Sequence, residues 1–152
     1  MKKILNLCFL IENGKILLGM KKRGWGEGRW NGFGGKVEQG ETIEESAKRE
    51  ILEECGIMAK ILEEKGVLEF TYLDTGKIME VHIFQILEYS GKIEETEEMK
   101  PQWFEIIDIP FPQMWPDDLY WLPLFLKNKK FKGKFLFNDI NTIKSHDLSV
   151  EK

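Results

Sequence analysis

A length of 152 residues predicts one domain, able to bury roughly two thirds of its unfolded surface. Hydrophobic residues at 42% and charged residues at 32% are the balance of a soluble globular protein. The net charge is −4, with no long basic run to bind duplex nucleic acid and no apolar stretch of about 18 residues to span a membrane.

The chain opens with KKILNLCFLI, an apolar run that is short and lacks the small-residue cleavage site of a signal peptide. Ile4 to Ile11 and Lys15 to Met20 flank Asn13-Gly14, which reads as a β-hairpin. Cys8 in this run and Cys55 further on have no CxxC or His-rich company. They are expected as free thiols in a reducing compartment, which predicts a cytoplasmic protein. The stretch KKRGWGEGRWNGFGG carries six glycines and two tryptophans, so it is expected as a loop. Long ordered loops tend to be functional, and aromatic residues in one suggest a ligand wall.

The next stretch, GGKVEQGETIEESAKREILEECGI, is a glycine turn feeding a helix. Ile43, Ala47 and Ile51 step by four and mark its inward face. Glu50, Glu53 and Glu54 follow at i, i+3 and i+4, with Glu50 and Glu54 on the edge of that face. Carboxylates so spaced repel one another unless a cation offsets them, and oxygen ligands suit Mg²⁺ or, as an alternative, Mn²⁺. A solvated acidic face is the bland alternative. Arg49 stands within the acidic run, where it can orient or neutralise a carboxylate.

Leu62 to Leu73 and Ile78 to Leu87 read as strands joined at Asp74-Thr75-Gly76, and Glu94 to Lys100 as an acidic loop. Gln102 to Ile107 is a short strand, and the three prolines of IPFPQMWPDD then break the structure. A helix is expected from Asp117 to Leu126, and Phe131 to Phe137 alternates like a final strand ahead of a polar tail. Pro116-Asp117-Asp118 before an apolar helix reads locally as an N-cap. Trp30, Trp103 and Trp121 read as core. His82 and His146 have no partner at ligand spacing and receive no role.

Gly35, Glu41, Arg49-Glu50-Ile51, Glu53-Glu54 and Gly56-Ile57 reproduce the Nudix box, a motif fixing about nine positions over 23 residues. The resemblance implies an α/β/α sandwich with a mixed central sheet, and a Mg²⁺-dependent hydrolase of nucleoside diphosphate linkages. It places Gly35, Glu50, Glu53 and Glu54 at metal-binding positions, and Glu41 with Arg49 as a structural ion pair. Glu98 matches a position that adds a metal ligand or helps deprotonate the attacking water.

The runs LLGMKKRG, GRWNGFGGKV, GETIE, MWPDD and YW-PL extend the resemblance nearly end to end. They are similar to the branch of the family that converts oxidised purine nucleoside triphosphates, 8-oxo-dGTP and 2-oxo-dATP among them, to monophosphate and pyrophosphate. In that branch the positions matching Asn31, Trp115, Asp117 and Asp118 hold the base. Trp115 offers a stacking face, Trp25 and Met79 complete the walls, and Asn31 supplies donors and acceptors. Two adjacent carboxylates cannot easily both ionise on one ligand. Asp117 and Asp118 can therefore present a donor beside an acceptor. Lys21 is expected either to contact phosphate or to be solvated. The branch carries Phe where Trp25 stands and Thr where Asn6 stands. The indole is expected to narrow the slot and the amide to change which purine edge is favoured.

The expected partner is a small nucleotide, and a monomer is expected. Two rivals stay open: another diphosphate-linked substrate (a methylated purine triphosphate, a dinucleotide polyphosphate or a nucleotide sugar), and a non-enzymatic nucleotide-binding module. The second would require loss of a box glutamate, and none is lost.

Overall fold

The computed structural model describes residues 2–151. Its elements run β1 (Lys2–Glu12), β2 (Lys15–Lys21), β3 (Trp30–Asn31), α1 (Ile43–Cys55), β4 (Met58–Tyr72), β5 (Lys77–Ser90), β6 (Met99–Glu105), α2 (Asp118–Leu126), β7 (Phe131–Asp139) and β8 (Thr142–Val150). The strands form one mixed sheet ordered β3-β2-β1-β5-β4-β7-β8, with β6 paired along β2. The β1–β5 and β4–β7 pairs are parallel and the remaining pairs antiparallel.

Alternation along the strands divides the apolar side chains between two cores. Cys8 and Leu10 of β1 pack with Ala47, Ile51 and Cys55 of α1 on one face. Phe9 packs on the other face with Trp121, Leu122 and Phe125 of α2. A helix therefore covers each face of the sheet, the expected α/β/α layering. Among the described residues no helix is long and apolar enough to cross a membrane.

The Asn13-Gly14 hairpin forms as expected, with both residues at positive φ (53° and 75°), the backbone a two-residue turn of that hand requires. Helix α1 begins at a capping box: Glu45 N–H donates to the Thr42 hydroxyl, and Thr42 N–H donates to the Glu45 carboxylate. Gly56 closes it in the left-handed region. Both cysteines are free and buried. Trp30 and Trp121 are buried and Trp103 is half-buried against the core beneath α1.

Three expectations need correction. Phe131 to Phe137 is not the last strand, because the polar tail returns as β8 along β7. His146 lies within it, its ring stacked on Phe135 at an interplanar angle of 10°. The glycine-rich loop contains β3, held by pairing of Gly19 with Asn31 and Met20 with Trp30. The acidic loop ends early, since Met99 and Lys100 already belong to β6.

Candidate active site

Residues 33–37 lie antiparallel along β1: Cys8 and Phe33 exchange backbone hydrogen bonds, Asn6 N–H donates to Gly35 O, and Val37 N–H donates to Ile4 O. The approach is so close that a Cβ on Gly34 would stand 2.1 Å from the Asn6 carbonyl. A Cβ on Gly35 would stand 2.6 Å from the Glu50 carboxyl carbon. Only glycine leaves that cradle open.

Arg49 and Glu41 form a two-point pair at 2.6 and 3.0 Å, which draws the Glu41 carboxyl down to about 2. The same guanidinium reaches Glu50 at 2.8 Å and Glu53 at 3.4 Å. Glu54 is buried, and its Oε1 accepts from Gly34 N–H at 2.8 Å. Burial, reinforced by the neighbouring Glu50 charge, pushes its carboxyl up to about 8. Burial also raises Glu50.

The carboxylate knot expected from the helix spacing is thus divided. Glu50 and Glu54 lie against the protein body, whereas Glu53 is 55% exposed on the outer side of Arg49. Among the described residues no three acidic, His or Cys side chains converge at metal-ligand geometry. Arg49 accounts for this by drawing Glu50 and Glu53 toward itself. A divalent cation nevertheless fits the donor set. The missing Cβ at Gly35 lets the Glu50 carboxylate stand directly against the turn, and Glu50 and Glu54 carry raised proton affinities that a cation beside them would reverse. Glu98 is turned away, paired with Arg23 at 2.7 Å and held below the usual carboxylate range by that hydrogen bond. Lys21 lies at the cleft wall, and its charge counters the rise at both Glu50 and Glu54.

From this cradle a cleft of about 270 Å³ runs across the sheet to α2. Leu5, Leu7, Phe70, Met79 and Val81 supply apolar lining, and Asn31 a polar edge. Asn31 Oδ1 accepts from Gly32 N–H at 2.8 Å, which leaves its amide donors for a ligand. Trp115 and Trp25 do not form two separated walls of a slot. Their rings stack at 5.5 Å and 26°, a direct contact that admits no base between them. Trp25 therefore covers a face of Trp115, with the Lys77 ammonium 4.1 Å from the Trp25 ring centre.

Asp117 and Asp118 close the far end of the cleft and are both buried. The capping expectation fails there: Asp117 has helical backbone angles and makes no side-chain cap hydrogen bond. Its Oδ2 instead accepts from the Trp121 indole N–H at 2.7 Å. Asp118 Oδ2 is buried without a hydrogen-bond partner among the described residues, an expensive state unless a ligand meets it. Burial raises both carboxyls above their ordinary range, and the Asp117 charge lifts Asp118 further.

Asn6 departs from its expected part. It is buried at the cleft edge, but its amide is engaged internally: Nδ2 donates to Ser46 Oγ at 3.0 Å and Oδ1 accepts from Gly35 N–H at 3.3 Å. Sequence reasoning missed Tyr72 and Arg29. Tyr72 shares the parity of Leu68 and Phe70 in β4, so the alternation itself marks it. Arg29 stands 4.3 Å from the Trp115 ring centre and is held by Ile140 O and Asn141 Oδ1 of the β7–β8 turn. No local signal links these segments.

Residues 3–125 match the NUDIX domain family. The chain is 50% identical over 146 residues to the oxidized purine nucleoside triphosphate hydrolase of Mus musculus, covering 96% of this chain and 94% of the relative. The protein of the same name from Danio rerio is 49% identical over the same shares. The crystal structure of a MutT protein from Bacillus halodurans superposes with a TM-score of 0.85 at 28% identity, covering 97% of both chains.

Proposed function

The chain belongs to the Nudix family, and we propose that it hydrolyses oxidised purine nucleoside triphosphates, such as 8-oxo-dGTP and 2-oxo-dATP, to monophosphate and pyrophosphate. One juxtaposition carries this reading. A buried Asp117-Asp118 pair, its carboxyls raised by burial, and an aromatic wall share a cleft with Gly35 and Glu54 of the cradle. A purine with an altered edge fits the first end and its phosphates reach the second.

In this reading Asp118, protonated, donates to the base, Asp117 accepts, and Asn31 adds donors at the edge. Trp115 stacks on the ring. Lys21 neutralises phosphate charge beside the cradle. Mg²⁺ would be held by Gly35 O, Glu50 and Glu54, with Glu53 and Glu98 as further ligands, and would supply positive charge for the phosphates and acidify a water. Glu53 and Glu98 both reach solvent, and one of them would take the water's proton once released from its arginine. The same proposal takes the chain as one domain acting as a cytoplasmic monomer, in keeping with its two free thiols.

Products test the reaction: 8-oxo-dGTP with Mg²⁺ should give monophosphate and pyrophosphate in equal amounts. Release of orthophosphate and a diphosphate would contradict it. Trp115→Ala should raise KM far more than it lowers kcat, by about 1–3 kcal/mol of lost stacking. An unchanged KM would remove Trp115 from the binding site.

A further inference from the structure

We propose that Asn6 is a positioning residue for the metal-binding turn, tying the Gly35 peptide to helix α1, and is not a base contact. The inference rests on the metal-dependent reading above.

Each polar end of the Asn6 side chain makes a hydrogen bond inside the protein. Oδ1 accepts from Gly35 N–H at 3.3 Å, and Nδ2 donates to Ser46 Oγ at 3.0 Å. The Ser46 hydroxyl donates onward to Lys36 O at 3.3 Å, so one chain of hydrogen bonds joins β1, the glycine turn and α1. Its centre is buried, with Asn6 2% and Ser46 0% exposed, while Gly35 is half-buried and Lys36 exposed. The Asn6 backbone completes the hold, since its N–H donates to Gly35 O at 3.0 Å. A carbonyl has two lone pairs, so this bond orients Gly35 O and still leaves one for a cation. Ser46 lies four residues before Glu50, one turn along the same helix. Asn6 therefore fixes the distance between the Gly35 carbonyl and the Glu50 carboxylate, the two sides of the cradle.

Supporting groups of this kind typically alter metal affinity by about 10–100-fold. The test is direct Mn²⁺ binding to nucleotide-free protein, followed by electron paramagnetic resonance, for the parent, Asn6→Ala and Ser46→Ala. Both variants should bind Mn²⁺ about tenfold or more weakly. Excess metal should restore kcat. KM for 8-oxo-dGTP at saturating metal should stay within about twofold, because contacts that orient metal ligands act on the metal and not on the nucleotide. Ser46→Ala removes one hydroxyl and keeps the result readable if Asn6→Ala folds poorly. Unchanged Mn²⁺ binding with a raised KM would overturn the proposal and return Asn6 to the base pocket. A parent that binds no Mn²⁺ would overturn the metal reading as well.

Discussion

Glu53→Gln should lower kcat by at least about a hundredfold while leaving the melting temperature unchanged. Glu53 is half exposed, and among the described residues its carboxylate pairs only with the Arg49 guanidinium, at 3.4 Å. The amide keeps the shape and removes no buried contact, so the fold has no reason to change. What it loses is the negative charge the metal-binding helix presents to solvent beside the cradle. A carboxamide is a far poorer ligand for Mg²⁺ than a carboxylate and cannot take a proton from water. Activity within a few-fold of the parent at saturating Mg²⁺ would show that Glu53 is not in the metal site.

That prediction depends on a division between the glutamates that helix spacing alone did not expose. Periodicity placed Glu50 and Glu54 at the edge of the inward face, and both lie there, because the helical repeat is a local property. Whether Glu53 joins them depends on Arg49, whose guanidinium binds Glu41 across the turn and pulls Glu50 and Glu53 with it. The hairpin at Asn13-Gly14 was legible for the same local reason. Strand β8 was not. Its only half-buried apolar side chains are Ile143 and Leu148, so it lacks the alternation that marks a strand with one face in the core. Pairing with β7 creates it. The Asn6–Ser46 and Arg29–Asn141 contacts span 40 and 112 residues, and nothing in either local sequence announces them. The reverse error occurred at Asp117, where local chemistry favoured a cap. Instead the indole of Trp121, one turn on, claims its carboxylate.

Asp118→Asn should shift the ratio of kcat/KM for 8-oxo-dGTP over 2-oxo-dATP by about tenfold or more, the worth of one charge-assisted hydrogen bond. The parent pair exchanges donor and acceptor by moving one proton, whereas the amide fixes a single pattern. Asp117→Asn should lower both activities, since the charged acceptor beside the ring is lost. Stability gives a second readout. Burial holds both carboxyls above their ordinary range, so the folded chain keeps protons that the unfolded chain releases above about pH 4. Stability contributed by the pair is therefore fully present below that pH and lost as pH rises through the folded values. Asp118→Asn removes the penalty, so at pH 7 its melting temperature should rise by a few degrees and its pH dependence should flatten. A fall of about 1 kcal/mol with an unchanged substrate ratio is what a capping aspartate would give.

The central claim is that one cleft selects an oxidised purine triphosphate and cleaves it. Its most direct test is kcat/KM for 8-oxo-dGTP, 2-oxo-dATP, O6-methyl-dGTP and dGTP, measured in parallel on the parent with saturating Mg²⁺. The account predicts that both oxidised nucleotides exceed dGTP by at least about tenfold, the discrimination a buried donor–acceptor pair supplies. Equal rates on all four, or activity confined to a nucleotide sugar or dinucleotide polyphosphate, would contradict it.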